Sequence, residues 1–193
     1  MAGRDTDPER LIEDSEAYLD DELSPKTIER LMDAAMADEL LRDFGYSDVA
    51  YLVIGNFDEP QKARLRSVRD ALANREVSHF AFLLDEIGKQ VWKNFVVKFK
   101  IFADRVDFII GVFQDNEGGH ELEIAELDRE RYQRKTRVFK QEYPSVEAER
   151  DAYDAMLAHL FEIIDNRGQL YRWETEAELL ELVAEYVPSS RTP

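Results

Sequence analysis

The densest run of chemistry-bearing residues is GVFQDNEGGHELEIAEL, residues 111 to 127. It leads from an apolar, β-branched segment through a Gly-Gly turn into an expected helix, and the junction carries Asp115, Glu117, Glu121 and Glu123. A carboxylate early on a helix that follows a strand can attack an electrophilic carbon, stabilise a cationic sugar or move a proton. Gly118 and Gly119 permit positive φ and close backbone approach to a ligand, and the helix that follows presents unpaired N–H groups. The same pair also makes an ordinary strand-to-helix turn. Acids are common throughout, 42 Asp plus Glu in 193 residues, so their number here is not an excess, and the helix dipole favours them at this place in any case. On a helical wheel Glu123 borders the side of Ile124 and Leu127 while Glu121 points elsewhere, so Glu123 is the candidate for a ligand-directed acid, a solvated helix acid being the alternative.

Other candidates come from the ends of other apolar runs. Gly55, Asn56 and Phe57 follow VAYLVI, and Asp85 follows HFAFLL. Asn56 and Phe57 suit contacts to a sugar and a base, and Asp85 and Asp115 suit sugar hydroxyls or a proton. His120 with Glu117 or Glu123 has helical metal-pair spacing, but HELEI is not HExxH and no third ligand is apparent, so no metal site is expected. His79 and His159 read as structural, and Trp92 is a candidate cover for the site. The glycines form neither GxGxxG nor GxxxxGK[ST], and there is no GxSxG, so a dinucleotide fingerprint, a P-loop and a serine hydrolase are not supported. A phosphate-accepting receiver needs an acidic pair after its first strand, where this chain has GNF.

Five elements of each kind must position these residues. Strands are expected at 49–54, 79–84, 106–113, 136–139 and 169–173, with helices near 60–74, 91–105, up to about 128, 146–164 and 175–186. Short, nearly uniform apolar runs mark strands buried on both faces of a parallel sheet, and their alternation with helices predicts a doubly wound α/β domain. The expected fold is a flavodoxin-like, mostly parallel five-stranded sheet over residues 46–188. A helical extension over 1–45, with helix starts at Asp7-Pro8 and Ser24-Pro25, precedes it, and a tail over 189–193 follows. In that strand order the ends of the first and third strands face one another, which brings Gly55 to Phe57 opposite Gln114 to Gly119.

YLVIGNF at 51–57, a later apolar strand, and then Gly119, Glu123 and Ile124 in a G-x-x-x-E-I arrangement resemble the superfamily of nucleoside 2-deoxyribosyltransferases and TIR-like domains. Those proteins have a strand ending in a Gly-x-Phe type loop and a catalytic glutamate in a G-T-x-x-E-I-G type motif. Here His120 stands for the Thr and Ala125 for the final Gly. The likeness covers about residues 49 to 127. It implies that Glu123 faces the anomeric carbon of a ribosyl group, with NAD or a nucleoside as ligand and no required cofactor.

Composition bounds the partners. The net charge of −17 and the preference for Arg over Lys resemble proteins of salt-in halophiles, though an ordinary acidic protein has the same balance. Duplex DNA is not an expected partner, because phosphate binding needs a basic footprint. The one cationic stretch, RERYQRKTRVFK at 129–140, reads more readily as pairing with neighbouring acids than as a surface for an acidic partner or RNA. The absence of cysteine excludes disulfides and thiol catalysis. MAGRDTDPER lacks a signal-peptide apolar region and no apolar run is long enough to span a bilayer, so a cytoplasmic protein without membrane contact is expected. Two functions stay open: a nucleoside- or nucleotide-handling enzyme, an N-glycosidase or ribosyl transferase, and a non-catalytic α/β interaction or sensor domain that uses the extension for homo-oligomer formation or partner binding.

Overall fold

Segments such as VAYLVIG and FIIGVF are apolar at nearly every position, which suits strands covered on both faces. They form β1 (Val49–Gly55) and β3 (Phe108–Phe113), buried at every residue. β2 (His79–Leu83), β4 (Thr136–Gln141) and β5 (Leu170–Trp173) complete a five-stranded sheet in the order β2-β1-β3-β4-β5. Every neighbouring pair is parallel. The chain is therefore α/β with a flavodoxin-like sheet, as its alternating pattern predicts. The computed structural model describes residues 24–36, 41, 43–76, 78–87, 95–114, 127, 129–145, 147–149, 153 and 155–190.

The described helices are α1 (Pro25–Met36), α2 (Gln61–Ala73), α3 (Phe95–Arg105), the single turn α4 (Glu130–Gln133), α5 (Ala155–Asn166) and α6 (Glu176–Tyr186). α1 begins as Ser24-Pro25 leads one to expect, with the Ser24 hydroxyl accepting from the Thr27 N–H at 3.2 Å. Leu65, Val68 and Leu72 of α2 and Leu179 and Val183 of α6 pack with Tyr51, Val53, Ile110, Val112, Phe139 and Trp173 on one face of the sheet. Phe99 and Phe102 of α3 and Leu157, Phe161 and Ile164 of α5 pack with Leu52, Ile54, Phe82, Ile109, Phe113 and Val138 on the other. The alternation of side chains along each strand produces these two cores from one sheet.

Residues of the expected extension join the second core. Leu41 and Phe44 lie in it, and Phe44 makes an edge contact with Phe82 at 5.7 Å. Arg105 also reaches Met32 of α1, donating to its Sδ at 3.2 Å. Element ends differ from sequence expectation by small amounts. β4 runs two residues past Phe139, placing Lys140 inside the strand. α5 continues to Asn166, where Gly168 at φ +68° ends it: the Gly168 N–H donates to the Asp165 carbonyl and the Gln169 N–H to that of Ile164. That pair of bonds is the Schellman arrangement, and it favours glycine at the left-handed position.

Candidate functional site

The carboxyl edge of the sheet is the default ligand site of this topology, and the switch point lies between β1 and β3. Gly55 pairs with Val112 there. Its φ is +152°, and a Cβ at this position would lie 2.2 Å from the Val112 carbonyl oxygen. Glycine is thus required by the approach of two strand backbones, independently of any ligand. Asn56 follows, fully buried, with its Oδ1 accepting from the Asp58 N–H at 2.9 Å. This turn swings the chain toward α2 and leaves Phe57 half-buried, edge-on to Phe95 at 6.3 Å.

The second half of the edge comes from β2, β3 and the segments after β4 and β5. Asp85 sits in a short helical turn after β2 and is paired with Lys62 of α2, both side chains largely buried. Gln114, just past β3, is 3% exposed. Its Oε1 accepts from Arg64, its Nε2 faces the Gln61 carbonyl at 3.5 Å, and its backbone carbonyl accepts from the Tyr143 hydroxyl. Arg64 also lies 5.9 Å from the centroid of the Trp173 ring. Trp173 is 1% exposed, and its Nε1–H has no hydrogen-bond partner among the described residues.

Further along β4, Lys140 is 1% exposed and pairs with Glu149, with its Nζ 5.0 Å from the ring centroids of both Tyr153 and Phe161. Burial draws its ammonium below the ordinary lysine range, while the Glu149 carboxylate pulls it back up. The charges of this edge are therefore largely committed to one another. The edge thus gathers Asn56, Phe57, Gln114, Tyr143 and Trp173 with Lys62 and Arg64, and of these the Trp173 Nε1–H is the buried donor without a hydrogen-bond partner among the described residues.

The sequence-predicted residues divide in two. Gly55, Asn56, Phe57 and Asp85 gather at the carboxyl edge of β1 and β2. Asp115, Gly118, Gly119, His120 and Glu123, together with Trp92, lie outside the described residues. Of the remaining histidines, His79 is buried at the start of β2, with its Nδ1 3.3 Å from the Tyr51 hydroxyl, and His159 is on exposed α5 surface 3.7 Å from Glu162. Sequence reasoning missed Lys62, Arg64, Tyr143 and Trp173. The helix expected near 60–74 is the one signal toward Lys62 and Arg64, because the helix after a first strand starts at its carboxyl end. Tyr143 and Trp173 are brought in by strand order. Among the described residues no group of three or more His, Asp or Glu could hold a metal ion, and no helix is long and apolar enough to cross a membrane.

No curated protein and no solved structure matches this chain. The model of one protein family matches residues 15–158, which span β1 to β4 and all the site residues except Trp173. The chain belongs to that family, a family of unknown function (DUF8170).

Proposed function

We propose that this protein binds a nucleoside or nucleotide at the carboxyl edge of β1 and β3, and that Glu123 acts there on the ribosyl carbon as an N-glycosidase or ribosyl-transfer carboxylate. The observation that carries the binding half is the Trp173 Nε1–H at the carboxyl edge, a buried donor without a hydrogen-bond partner among the described residues, with Arg64 5.9 Å from its ring. Phe57, half-buried at the same edge, is an aromatic group suited to a base, and a few polar groups among apolar ones is the usual composition of a small-molecule crevice. A buried donor without an acceptor is costly, and an incoming ligand oxygen would relieve it. Glu123 enters through its G-x-x-x-E-I motif, and NAD is the nucleotide that the same resemblance suggests. Asp85, held by Lys62, serves in this reading to fix α2 against β2 and orient a hydroxyl, and moves no proton.

In the catalytic step the Glu123 carboxylate bonds to or screens the anomeric carbon as the C–N bond to the base breaks and the base takes a proton from water; water, or a second base in transfer, then adds to that carbon, gives up its proton to solvent and frees the carboxylate. The test is a thermal-shift screen with adenosine, other nucleosides, NAD and ADP-ribose on wild type and Glu123→Gln, followed by product analysis. A rise in Tm with nucleoside or nucleotide in both proteins, with base release in the wild type alone, supports the whole reading. Binding without release in either protein removes the enzyme and leaves a binding domain. Absence of binding at millimolar ligand removes both.

A further inference from the structure

The opposite edge of the sheet holds a cluster of a different kind. A cavity of about 320 Å³ at the amino ends of β4 and β5 is lined by Gln133, Arg134, Arg137, Arg167, Gly168, Gln169 and Tyr171. Three arginines thus converge from three segments: the turn after α4, the start of β4 and the turn before β5. Among the described residues no Asp or Glu lines the cavity, in a chain whose net charge is −17. Arg134 and Arg137 have no carboxylate partner among the described residues. Among the described residues Arg137 donates to the carbonyls of Thr136 and Arg134, at 2.7 and 3.4 Å. The nearby Asp165 is held by Arg172 at 3.1 Å, on the other side of β5.

The two turns are fixed to each other. The Gln169 side-chain amide donates to the Gln133 carbonyl at 2.6 Å and the Thr136 carbonyl at 3.1 Å, which ties the Arg167 turn to the Arg134 turn. Gly168 keeps the second turn tight in the left-handed conformation, and nothing lies within 4 Å of where its Cβ would be. The arginines therefore stand around open space on a braced frame, and the mutual repulsion of Arg134 and Arg137, which have no carboxylate partner among the described residues, favours an anion there.

We propose that this cavity is a binding site for a compact phosphate-bearing small molecule, held by Arg134, Arg137 and Arg167. Planar guanidinium groups match phosphate oxygens two at a time, and three of them exceed what one carboxylate can occupy. The ligand is compact because Tyr171 offers no stacking platform. Its ring is already stacked with both Phe139 at 5.2 Å and Tyr186 at 4.3 Å, and its hydroxyl donates to the Gly168 carbonyl at 3.3 Å. Single-stranded nucleic acid binds by stacking bases on free aromatic faces along a basic groove, and Tyr171 is the one aromatic residue among the described residues that line this cavity. The general field of the protein repels anions, so saturable binding here reports the local cluster.

Inorganic pyrophosphate and inorganic phosphate are the probes, titrated into the full chain by calorimetry, with a short poly-uridine oligonucleotide in parallel. Pyrophosphate is expected to bind saturably and to weaken at least tenfold in Arg134→Ala and again in Arg134→Ala/Arg167→Ala. Arg66→Ala, which removes a surface arginine paired with Glu59, leaves it unchanged. Circular dichroism and Tm establish that the variants are folded; if the double variant is not, Arg134→Gln and Arg167→Gln singly carry the comparison. No saturable binding at millimolar pyrophosphate, or binding indifferent to these arginines, overturns the proposal. Arginine-dependent binding of the oligonucleotide but not of pyrophosphate overturns it too, in favour of RNA. The outcome is independent of the carboxyl-edge reading, since neither probe contains a nucleoside.

Discussion

The two edges of the sheet treat charge in opposite ways. At the carboxyl edge the cations have partners: Lys62 with Asp85, Lys140 with Glu149, Arg69 with Glu86 at 2.6 Å, and Arg64 with the Gln114 amide. At the amino edge of β4 and β5, Arg134 and Arg137 face a cavity without a carboxylate. Between these extremes, Lys135 at the amino edge donates to the carbonyls of Ala103 and Val106 at the end of α3, a cation on the negative end of a helix. Topology makes the carboxyl edge the default ligand site, yet the uncompensated positive charge lies at the other end. The first edge offers a ligand hydrogen-bonding and aromatic groups, and the second offers a compact anion positive charge without a carboxylate.

The largest break in this comparison is expected at the switch point. Gly55→Ala forces a Cβ against the Val112 carbonyl and an alanine into a strained φ, and should cost about 3 kcal/mol or more in urea denaturation. Trp173→Ala empties a fully packed position and should cost about 3–5 kcal/mol. Either change disturbs the carboxyl edge. Binding of pyrophosphate by whatever remains folded should be retained.

Lys135 sharpens the amino edge through pH. Burial, opposed by Asp104 and Asp107, lowers its pKa from 10.5 to about 8. Between those values the unfolded chain keeps a proton that the folded chain has released, so the stability contributed by this site rises with pH across that window. Below it the cost of burying the charge is fully present. The stability of wild type relative to Lys135→Met should therefore climb from pH 8 to pH 10.5, by up to about 3 kcal/mol. A flat difference would show that Lys135 is solvated.

A smaller effect is expected at the Lys140 pair. Glu149→Gln leaves the ammonium buried between Tyr153 and Phe161 without its counter-ion and should cost about 1–2 kcal/mol, moderated because Glu149 is partly exposed. Lys140→Met should cost less, since it removes the charge as well. The smallest stability effect belongs to Arg134→Ala, within about 0.5 kcal/mol on an exposed turn, although its effect on anion binding is the largest of all.

Much of the fold was legible because strand burial writes itself into the sequence. VAYLVI and FIIGVF are apolar on both faces, and their strands lie between α2 and α6 on one side and α3 and α5 on the other. The site was legible where a strand ends in distinctive residues, as at Gly55-Asn56-Phe57. It was illegible where partners come from distant segments. Arg64, Gln114 and Trp173 meet only because β3 lies beside β1 and α2 covers the face from which Trp173 points. RERYQRKTRVFK reads as a self-neutralised stretch, and half of that is right: Arg131 lies 3.6 Å from Asp104 and Lys140 pairs with Glu149. Arg134 and Arg137 instead meet Arg167, thirty residues further on in a DNRG segment that reads as nothing more than a helix stop. A charge pattern in one dimension does not disclose which cations the sheet will gather.

The most direct test of the contrast is a pair of amide chemical-shift maps, one with adenosine and one with pyrophosphate, on the same isotopically labelled protein. Adenosine should move Asn56, Phe57 and Gln114 and leave Arg134, Arg137 and Gly168 still, and pyrophosphate should do the reverse. Both ligands shifting the same edge, or adenosine shifting neither, would contradict the account.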